Sequence, residues 1–227
     1  MLTCRTVTAA VTFMLAFCGT GRSMAIGPAR GISAVSGDVA LVEPPPSVRR
    51  QAFESNDAVR VFLEREFDAP SVAVNARQPG VYNAYADFVD GVVNPAGRIR
   101  SYFFHFDPEG TALRRLAGSV TFDRPILGVI GRSITLEQTD GPLGAAGTLY
   151  PTDRFDREPE FQGRGNYDYF EILNDQRTVA FRWEVTTDLD QIRVVTTVPE
   201  PVSAGLLGVC GGGILLRGRR GWRAVGW

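Results

Sequence analysis

Hydrophobic and polar residues alternate along most of the middle of the chain, which is the pattern of β-strands with one buried face. The clearest run is Thr178–Val185, in which alternate positions carry large apolar side chains: Val179, Phe181, Trp183 and Val185. Asn174 and Asp175 precede this run and favour a turn. The pattern therefore predicts a half-buried strand that pairs with the run 169–173 as a hairpin.

Six more runs of β-branched and aromatic residues are separated by Gly, Pro, Asn and Asp, as in proteins built from short strands. The predicted strands are 32–42, 59–67, 98–107, 116–122, Ile126–Ile130 and Asp190–Thr197. Apolar side chains occur on both faces of 98–107, which predicts a central strand, whereas 32–42 precedes a run of prolines and is predicted at an edge. Little of this region has the spacing of an amphipathic helix. We therefore predict a single, mostly β domain, an antiparallel β-sandwich or jelly roll.

The N-terminal end carries a different pattern. Residues 1–25 begin with a positive charge at Arg5, continue with an apolar run over 7–18, and end in a small-x-small site at Ala25. This arrangement is typical of a secretory signal peptide that is cleaved after Ala25. The alternative is a buried first helix or a retained membrane anchor, but the apolar run is shorter than the ~20 residues that a span needs.

The C-terminal end combines three elements in a fixed order. Pro199, Glu200 and Pro201 are followed by an apolar stretch over 202–216, and then by a cluster of arginines: Arg217, Arg219 and Arg220. The positive-inside rule places such a cluster in the cytoplasm, with the apolar stretch as a short transmembrane helix. An ordinary stop-transfer anchor, the alternative, would be longer and more apolar.

This tail, over 199–220, resembles the PEP-CTERM sorting signal, also classed as the C-terminal type of ice-binding proteins, and 221–227 is a terminal extension. The resemblance implies an exported protein whose tail is anchored transiently in the inner membrane and processed by an exosortase. Release, or transfer to the cell surface, would follow. The body, 26–198, carries a weaker likeness in three runs: 101–107, 121–128 and 190–193. They resemble exported PEP-CTERM proteins to which no biochemistry is assigned, so they imply no mechanism.

Composition excludes several kinds of site from the body. Residues 26–198 contain 18 Arg and 24 Asp plus Glu, and 18 − 24 gives a net charge of −6, which disfavours nucleic-acid binding. The cysteines lie only in the terminal segments, at Cys4, Cys18 and Cys210, so a disulfide, a cysteine nucleophile and a thiolate metal site are excluded from the body. His105 is the one histidine, which excludes clustered-histidine metal sites. We expect His105 to be a hydrogen-bonded core residue rather than a general base.

The segment 138–168 is long and rich in Gly, Pro and acidic residues, among them Asp140, and is predicted to be an irregular loop. Four of its acids are candidate ligands for calcium, which takes six to eight oxygens: Asp153, Asp156, Glu158 and Glu160. We favour the simpler interpretation, a solvated loop whose acids balance Arg154, Arg157 and Arg164, over a calcium site. Glu158 and Glu160 would serve a glycoside hydrolase only if both faced one cleft.

Aromatic residues cluster around the same segment: Tyr150, Phe155, Phe161, Tyr167, Tyr169 and Trp183. Most are expected in the core, but one or two exposed rings beside polar groups would favour sugar binding. We therefore expect an exported cell-surface or extracellular-matrix protein with a non-catalytic structural or exopolysaccharide-binding role. The alternatives are an extracellular glycan hydrolase that uses acids of the 138–168 loop, and a calcium-stabilised adhesion domain.

Overall fold

The computed structural model describes residues 30–69, 71–152, 157–161 and 167–198. The predicted signal peptide 1–25, the sorting tail 199–220 and the extension 221–227 lie outside these residues. No helix in the described ranges is long and apolar enough to span a bilayer.

Within these ranges the protein is mostly β, as predicted, with twelve strands and one α-helix. The strands are β1 Ile32–Gly37, β2 Val39–Leu41, β3 Val59–Asp68, β4 Val72–Val74, β5 Gly80–Tyr82, β6 Gly91–Val93, β7 Arg98–Phe106, β8 Arg114–Phe122, β9 Ile126–Ile130, β10 Tyr169–Ile172, β11 Thr178–Val185 and β12 Asp190–Thr197. The helix, α1, covers Ser133–Leu143, and a 3-10 turn covers Tyr85–Asp87.

Ten of the strands form two five-stranded sheets. In the first sheet the order is β1-β8-β11-β10-β5, and every pair is antiparallel. In the second sheet the order is β2-β3-β7-β12-β9, and only β2 and β3 run parallel. Strands β4 and β6 form a separate antiparallel pair. The predicted hairpin of β10 and β11 is confirmed, with Tyr169 opposite Arg182.

Strand β7 shows that the second sheet is buried on both faces. It lies between β3 and β12, which confirms the predicted central position. Three alternate residues join one hydrophobic cluster: Tyr102, Phe104 and Phe106. That cluster also contains Phe170 and Trp183 of the first sheet, so one apolar layer joins both sheets. The intervening Ile99 and Phe103 face a second cluster, to which β4 and α1 contribute.

The prediction of one edge strand over 32–42 is wrong, because the chain passes from one sheet to the other within it. Strand β1 is an edge of the first sheet and β2 is an edge of the second. Gly37 makes the break, with a φ of 75°, and a Cβ there would lie 2.3 Å from the carbonyl oxygen of Ala117. Asp38 fixes the bend, since its N–H donates to that oxygen at 2.9 Å and its Oδ2 accepts from the N–H of Ala117 at 3.1 Å.

The prediction that 138–168 is irregular throughout is also wrong, because α1 covers its first part. Helical periodicity is weak in this sequence, and Gly141 and Pro142 stand in the last turn. The helix is held by tertiary contacts, which override local propensity. Leu136 and Leu143 are buried in the second cluster. The first backbone N–H of the helix, that of Ser133, donates to Glu158 Oε2 at 2.5 Å.

Candidate functional site

A small cavity of about 130 Å³ opens where β11 ends and β12 begins. Its polar lining is dominated by carboxylates: Glu158, Glu160, Glu184, Asp188 and Asp190. Leu113 and Val185 add apolar surface. We call this cavity the acidic pocket. Three parts of the chain distant in sequence build it, and the pairing of β11 with β8 brings two of them together.

Glu158 is tied to the protein through both carboxylate oxygens. Its Oε1 accepts a hydrogen bond from the hydroxyl of Tyr85 at 2.9 Å, and its Oε2 accepts from the N–H of Ser133. A negative charge at the first turn of α1 also interacts favourably with the helix dipole. Burial and this hydrogen bond raise the pKa of Tyr85 to about 12, so Tyr85 remains a donor at neutral pH.

Two other carboxylates of the acidic pocket pair with arginines at the surface. Glu184 forms an ion pair with Arg115, its neighbour across the β8–β11 ladder. Asp188 pairs with Arg50 at 3.1 Å, and the side chains of Asp188 and Arg50 are 46% and 42% exposed. Exposed pairs of this kind contribute little to stability because water screens them. They do, however, offset part of the negative charge at the mouth of the pocket.

Asp190 differs from these residues because it is buried and unpaired at one oxygen. It is 3% exposed, and its Oδ2 has no hydrogen-bond partner among the described residues. Burial raises the pKa of Asp190 well above its usual range, and the negative charges of Asp168, Glu160 and Asp188 raise it further. A buried carboxyl in this environment favours its protonated form until a positive group or donor arrives.

Asp168 lies beside the acidic pocket and shares this behaviour. Its Oδ1 accepts a hydrogen bond from the backbone N–H of Glu184 at 2.5 Å. Burial raises the pKa of Asp168 to about 6, despite that hydrogen bond, and the charges of Glu160 and Glu184 act in the same direction. The two buried acids therefore titrate closer to neutral pH than ordinary surface carboxyls do.

The structure brings two of the four predicted calcium ligands, Glu158 and Glu160, into the acidic pocket. The other two, Asp153 and Asp156, lie outside the described residues, as do the predicted sorting residues Pro199, Glu200, Pro201, Arg217, Arg219 and Arg220. In the part of the chain that the structure describes, no group of three or more His, Cys, Asp or Glu side chains is arranged to hold a metal ion. The calcium loop stays a prediction.

Sequence reasoning missed Asp190, although a signal for it exists. Alternation along β12 places Asp190 on the same side as Ile192 and Val194, and both of these are buried in the cluster between the sheets. An acid at an inward position of a strand is a buried polar group that needs a partner. The same pattern, applied to the start of the strand, would have singled out Asp190 as unusual.

Two residues assigned to a solvated loop instead form an ion pair on the far side of the second sheet. Arg157 is fully buried, and its guanidinium donates to both oxygens of Asp140 at 2.6 and 3.1 Å. Asp140 also accepts from Nη2 of Arg193 at 2.9 Å. The expectation that these charges are simply solvated is therefore wrong for Asp140 and Arg157. They are internal partners that hold α1 and the segment 157–161 against the sheet.

The prediction of a core histidine is confirmed. His105 is 1% exposed, and its Nδ1 accepts a hydrogen bond from Nε2 of Gln191 at 3.0 Å. The ring of Phe53 stacks on it, with centroids 5.7 Å apart. Burial lowers the pKa of His105 to about 3, and the positive charges of Arg60 and Arg157 lower it further. The imidazole is neutral at physiological pH.

The aromatic residues around the segment 138–168 differ in exposure: Tyr150 and Tyr169 are of intermediate exposure, and Phe155 lies outside the described residues. Phe161 and Trp183 are buried, whereas Tyr167 is 36% exposed. The guanidinium carbons of Arg115 and Arg182 lie 4.2 and 4.6 Å from the ring centroid of Tyr167. Because Arg115 also pairs with Glu184, the ring of Tyr167 and the acidic pocket belong to one continuous surface.

Comparisons with known proteins add no relative. No family model, no curated protein and no solved structure matches the chain. The functional interpretation therefore depends on the residues and geometry described above.

Proposed function

We propose that this chain is an exported cell-surface or extracellular-matrix protein whose body, a β-sandwich, binds polysaccharide without cleaving it. The observation that carries the proposal is the continuous surface formed by Tyr167, Arg115 and the acidic pocket. Sugar rings present C–H faces to aromatic rings and hydroxyls to charged donors and acceptors. This surface offers an aromatic ring, a charged donor and carboxylate acceptors within one region.

Delivery to that location depends on the two ends of the chain. The sandwich is supported by the shared apolar layer between the two five-stranded sheets. Its last strand ends at Thr197, and the N–H of Val198 still donates to the carbonyl of Arg98 at 2.9 Å. The Pro-Glu-Pro element of the sequence begins at the next residue. We propose that an exosortase processes the sorting tail after the body has folded, because the Pro-Glu-Pro element follows the last strand directly in the sequence.

Binding is tested by calorimetric titration of residues 26–198 with the extracellular polysaccharide of the host. We expect saturable binding, and we expect Tyr167→Ala to weaken it at least about five-fold, which corresponds to about 1 kcal/mol for an interface tyrosine. Leu149→Ala is the matched control. It removes an exposed side chain (54%, against 36% for Tyr167). Its neighbour Tyr150 packs against the second hydrophobic cluster, on the face of the second sheet that is turned away from the first sheet. Equal loss in both variants, or no binding by the parent, would overturn the proposal.

Sorting is tested in the host by replacing Pro199, Glu200 and Pro201 with Ala. We expect the variant to fold and cross the inner membrane, yet to keep its tail and remain in the membrane fraction. Replacing Asn94, Pro95 and Gly97 of a surface turn with Ala provides a control for the effect of a triple substitution on export. A variant that is processed and located like the parent would contradict the sorting assignment.

A second candidate function is hydrolysis of an extracellular glycan. The observation that favours it is the difference in protonation within one site: burial raises the pKa of Asp190 and Asp168, while Glu184 and Asp188 are held as ion pairs. Glycosidases need one protonated and one ionised carboxyl beside the scissile bond. Release of new reducing ends from the polymer, lost in Asp190→Asn, would make this the leading function. An unchanged polymer length would exclude it for that substrate.

A further inference from the structure

We infer that the acidic pocket binds a primary ammonium group, and that its ligand is therefore a polysaccharide with free amino groups on its sugar units. This inference rests on the proposed polysaccharide binding and specifies its substrate class. The inference depends on the carboxylate of Asp190, which lines the cavity and is 3% exposed. Its Oδ2 has no hydrogen-bond partner among the residues that the structure describes.

The charges around Asp190 favour the binding of a cation. The charged groups that act on it most strongly are Asp168, Glu160 and Asp188, which are all acidic. Two arginines at the rim are already engaged, since Arg115 pairs with Glu184 and Arg50 pairs with Asp188. A ligand that carries a positive charge and N–H donors would satisfy Oδ2 and neutralise the buried site.

The shape and lining of the acidic pocket favour ammonium over other cations. A volume of about 130 Å³ holds one small head group. A guanidinium is planar and binds carboxylates through two oxygens, whereas an ammonium is a point charge that a single free oxygen accommodates. The described residues provide no group of three or more metal-binding side chains. Uronic-acid units would be repelled by the carboxylates that line the pocket.

The apolar part of the lining indicates what carries the ammonium group. Leu113 and Val185 lie at the acidic pocket and offer surface for the C–H face of a ring. Tyr167 continues the surface outward past the Arg115–Glu184 pair. A sugar unit with its amino group directed at Asp190 would contact apolar wall, carboxylate and aromatic ring together.

The test compares two ligands that differ only at the nitrogen of each sugar unit: a glucosamine oligomer, with charged ammonium groups, and its fully N-acetylated counterpart, with neutral acetamido groups. We expect the mature protein to bind the glucosamine oligomer at least ten-fold more tightly at pH 6, and we expect Asp190→Asn to remove this preference. Asp188→Asn is the matched control, because Asp188 lines the same pocket but is paired and about half exposed, and it should retain most of the preference.

A second measurement needs no variant. The carboxyls that line the pocket are Glu158 and Glu160 before Phe161, Glu184 in β11, Asp188 in the turn and Asp190 in β12, and Asp168 lies beside them before β10. Since burial raises the pKa of Asp190 and of Asp168, a cation that binds beside them should displace protons. Calorimetry in two buffers of different ionisation enthalpy measures this release, and binding without it would overturn the inference.

The outcomes separate this inference from the proposed function. Equal affinity for both oligomers would overturn the ammonium site but leave polysaccharide binding intact. Binding of methylammonium at the pocket without either oligomer would support the ammonium site and overturn polysaccharide binding. Calcium binding that is tighter than the oligomer and is lost in Asp190→Asn would overturn the ammonium site in favour of a metal site.

Discussion

Arg193 and Glu64 form a bidentate ion pair in the interior of the protein, although 129 residues separate them in sequence. Nε of Arg193 donates to Oε2 of Glu64 at 2.7 Å, and Nη2 donates to Oε1 at 2.8 Å. Both side chains are fully buried. The pair joins β3 to β12 across the central strand, and the remaining donors of Arg193 reach Thr139 and Asp140 of α1. It therefore fixes the helix on the sheet that it covers.

Breaking this pair should be among the most destabilising single changes in the body. We expect Arg193→Met to lower the free energy of unfolding by about 3–5 kcal/mol, because Glu64 would remain as a buried charge without its main partner. Urea denaturation at pH 7 measures the change. Arg193→Met combined with Glu64→Gln should cost less than the two single substitutions added together, because the stranded charge is gone.

The control for this prediction is Arg98→Gln, which removes a half-exposed arginine paired with Glu66 at 3.0 Å. Its effect on the urea midpoint should be small, since water screens such pairs. Equal destabilisation by Arg98→Gln and Arg193→Met would show that burial does not decide the strength of these pairs.

The strands were predictable and the charge network was not, for a physical reason. Alternation is a local signal, so it located Thr178–Val185 and Asp190–Thr197 at the bounds that the structure shows. The pairing of Glu64 with Arg193 depends on which strands become neighbours, which no local pattern contains. The same holds for the acidic pocket, because Glu158 and Asp190 meet only after both sheets have formed.

A second prediction concerns the turn that transfers the chain from the first sheet to the second. Gly37 and Gly110 have nearly the same positive φ, 75° and 77°, but only Gly37 has backbone atoms where a Cβ would stand. Gly110→Ala should cost about 1–2 kcal/mol, the strain of a left-handed residue with a side chain. Gly37→Ala should cost more, because β1 or β8 must also move. Thermal unfolding of the two variants compares them directly, and equal costs would contradict the steric argument.

A third prediction follows from the buried histidine. The pKa of His105 is about 3 in the folded state and 6.5 in the unfolded state, so between these values only the unfolded state binds the proton. The stabilising contribution is complete above pH 6.5 and is lost as the pH falls, by up to about 1.4 kcal/mol per pH unit. His105→Gln lacks this titration. The difference in stability between parent and variant should therefore change in favour of the variant below pH 6.5.

The comparison with His105→Gln is needed because buried acids, Asp190 among them, act in the opposite sense. Burial raises the pKa of Asp107 and Asp168 to about 6, so each favours the folded state as the pH falls from 6 towards 3.8. These contributions are common to parent and variant and cancel in the difference. If the stability curves of parent and variant ran parallel from pH 7 to pH 4, His105 would take up a proton in the folded state as readily as in the unfolded state.

The last prediction tests whether Asp190 is held at a cost to stability. Its pKa is raised in the folded state, so its favourable contribution is present at low pH and is lost as the pH rises through the folded pKa. Asp190→Asn has no charge to bury, and it should melt at a higher temperature than the parent at pH 8, with a smaller gain at pH 4.

Asp175→Asn is the contrasting variant, and it should melt at a lower temperature than the parent at pH 8, with a smaller loss at pH 4. Although slight burial opposes it, hydrogen bonds from Thr178 and Arg177 lower the pKa of Asp175, and their strength depends on its charge.

The stability of Asp190→Asn bears on the role of Asp190 in binding. A residue whose replacement stabilises the free protein and weakens ligand binding is one retained for binding. If Asp190→Asn melted lower than the parent at pH 8, Asp190 would be a structural acid instead.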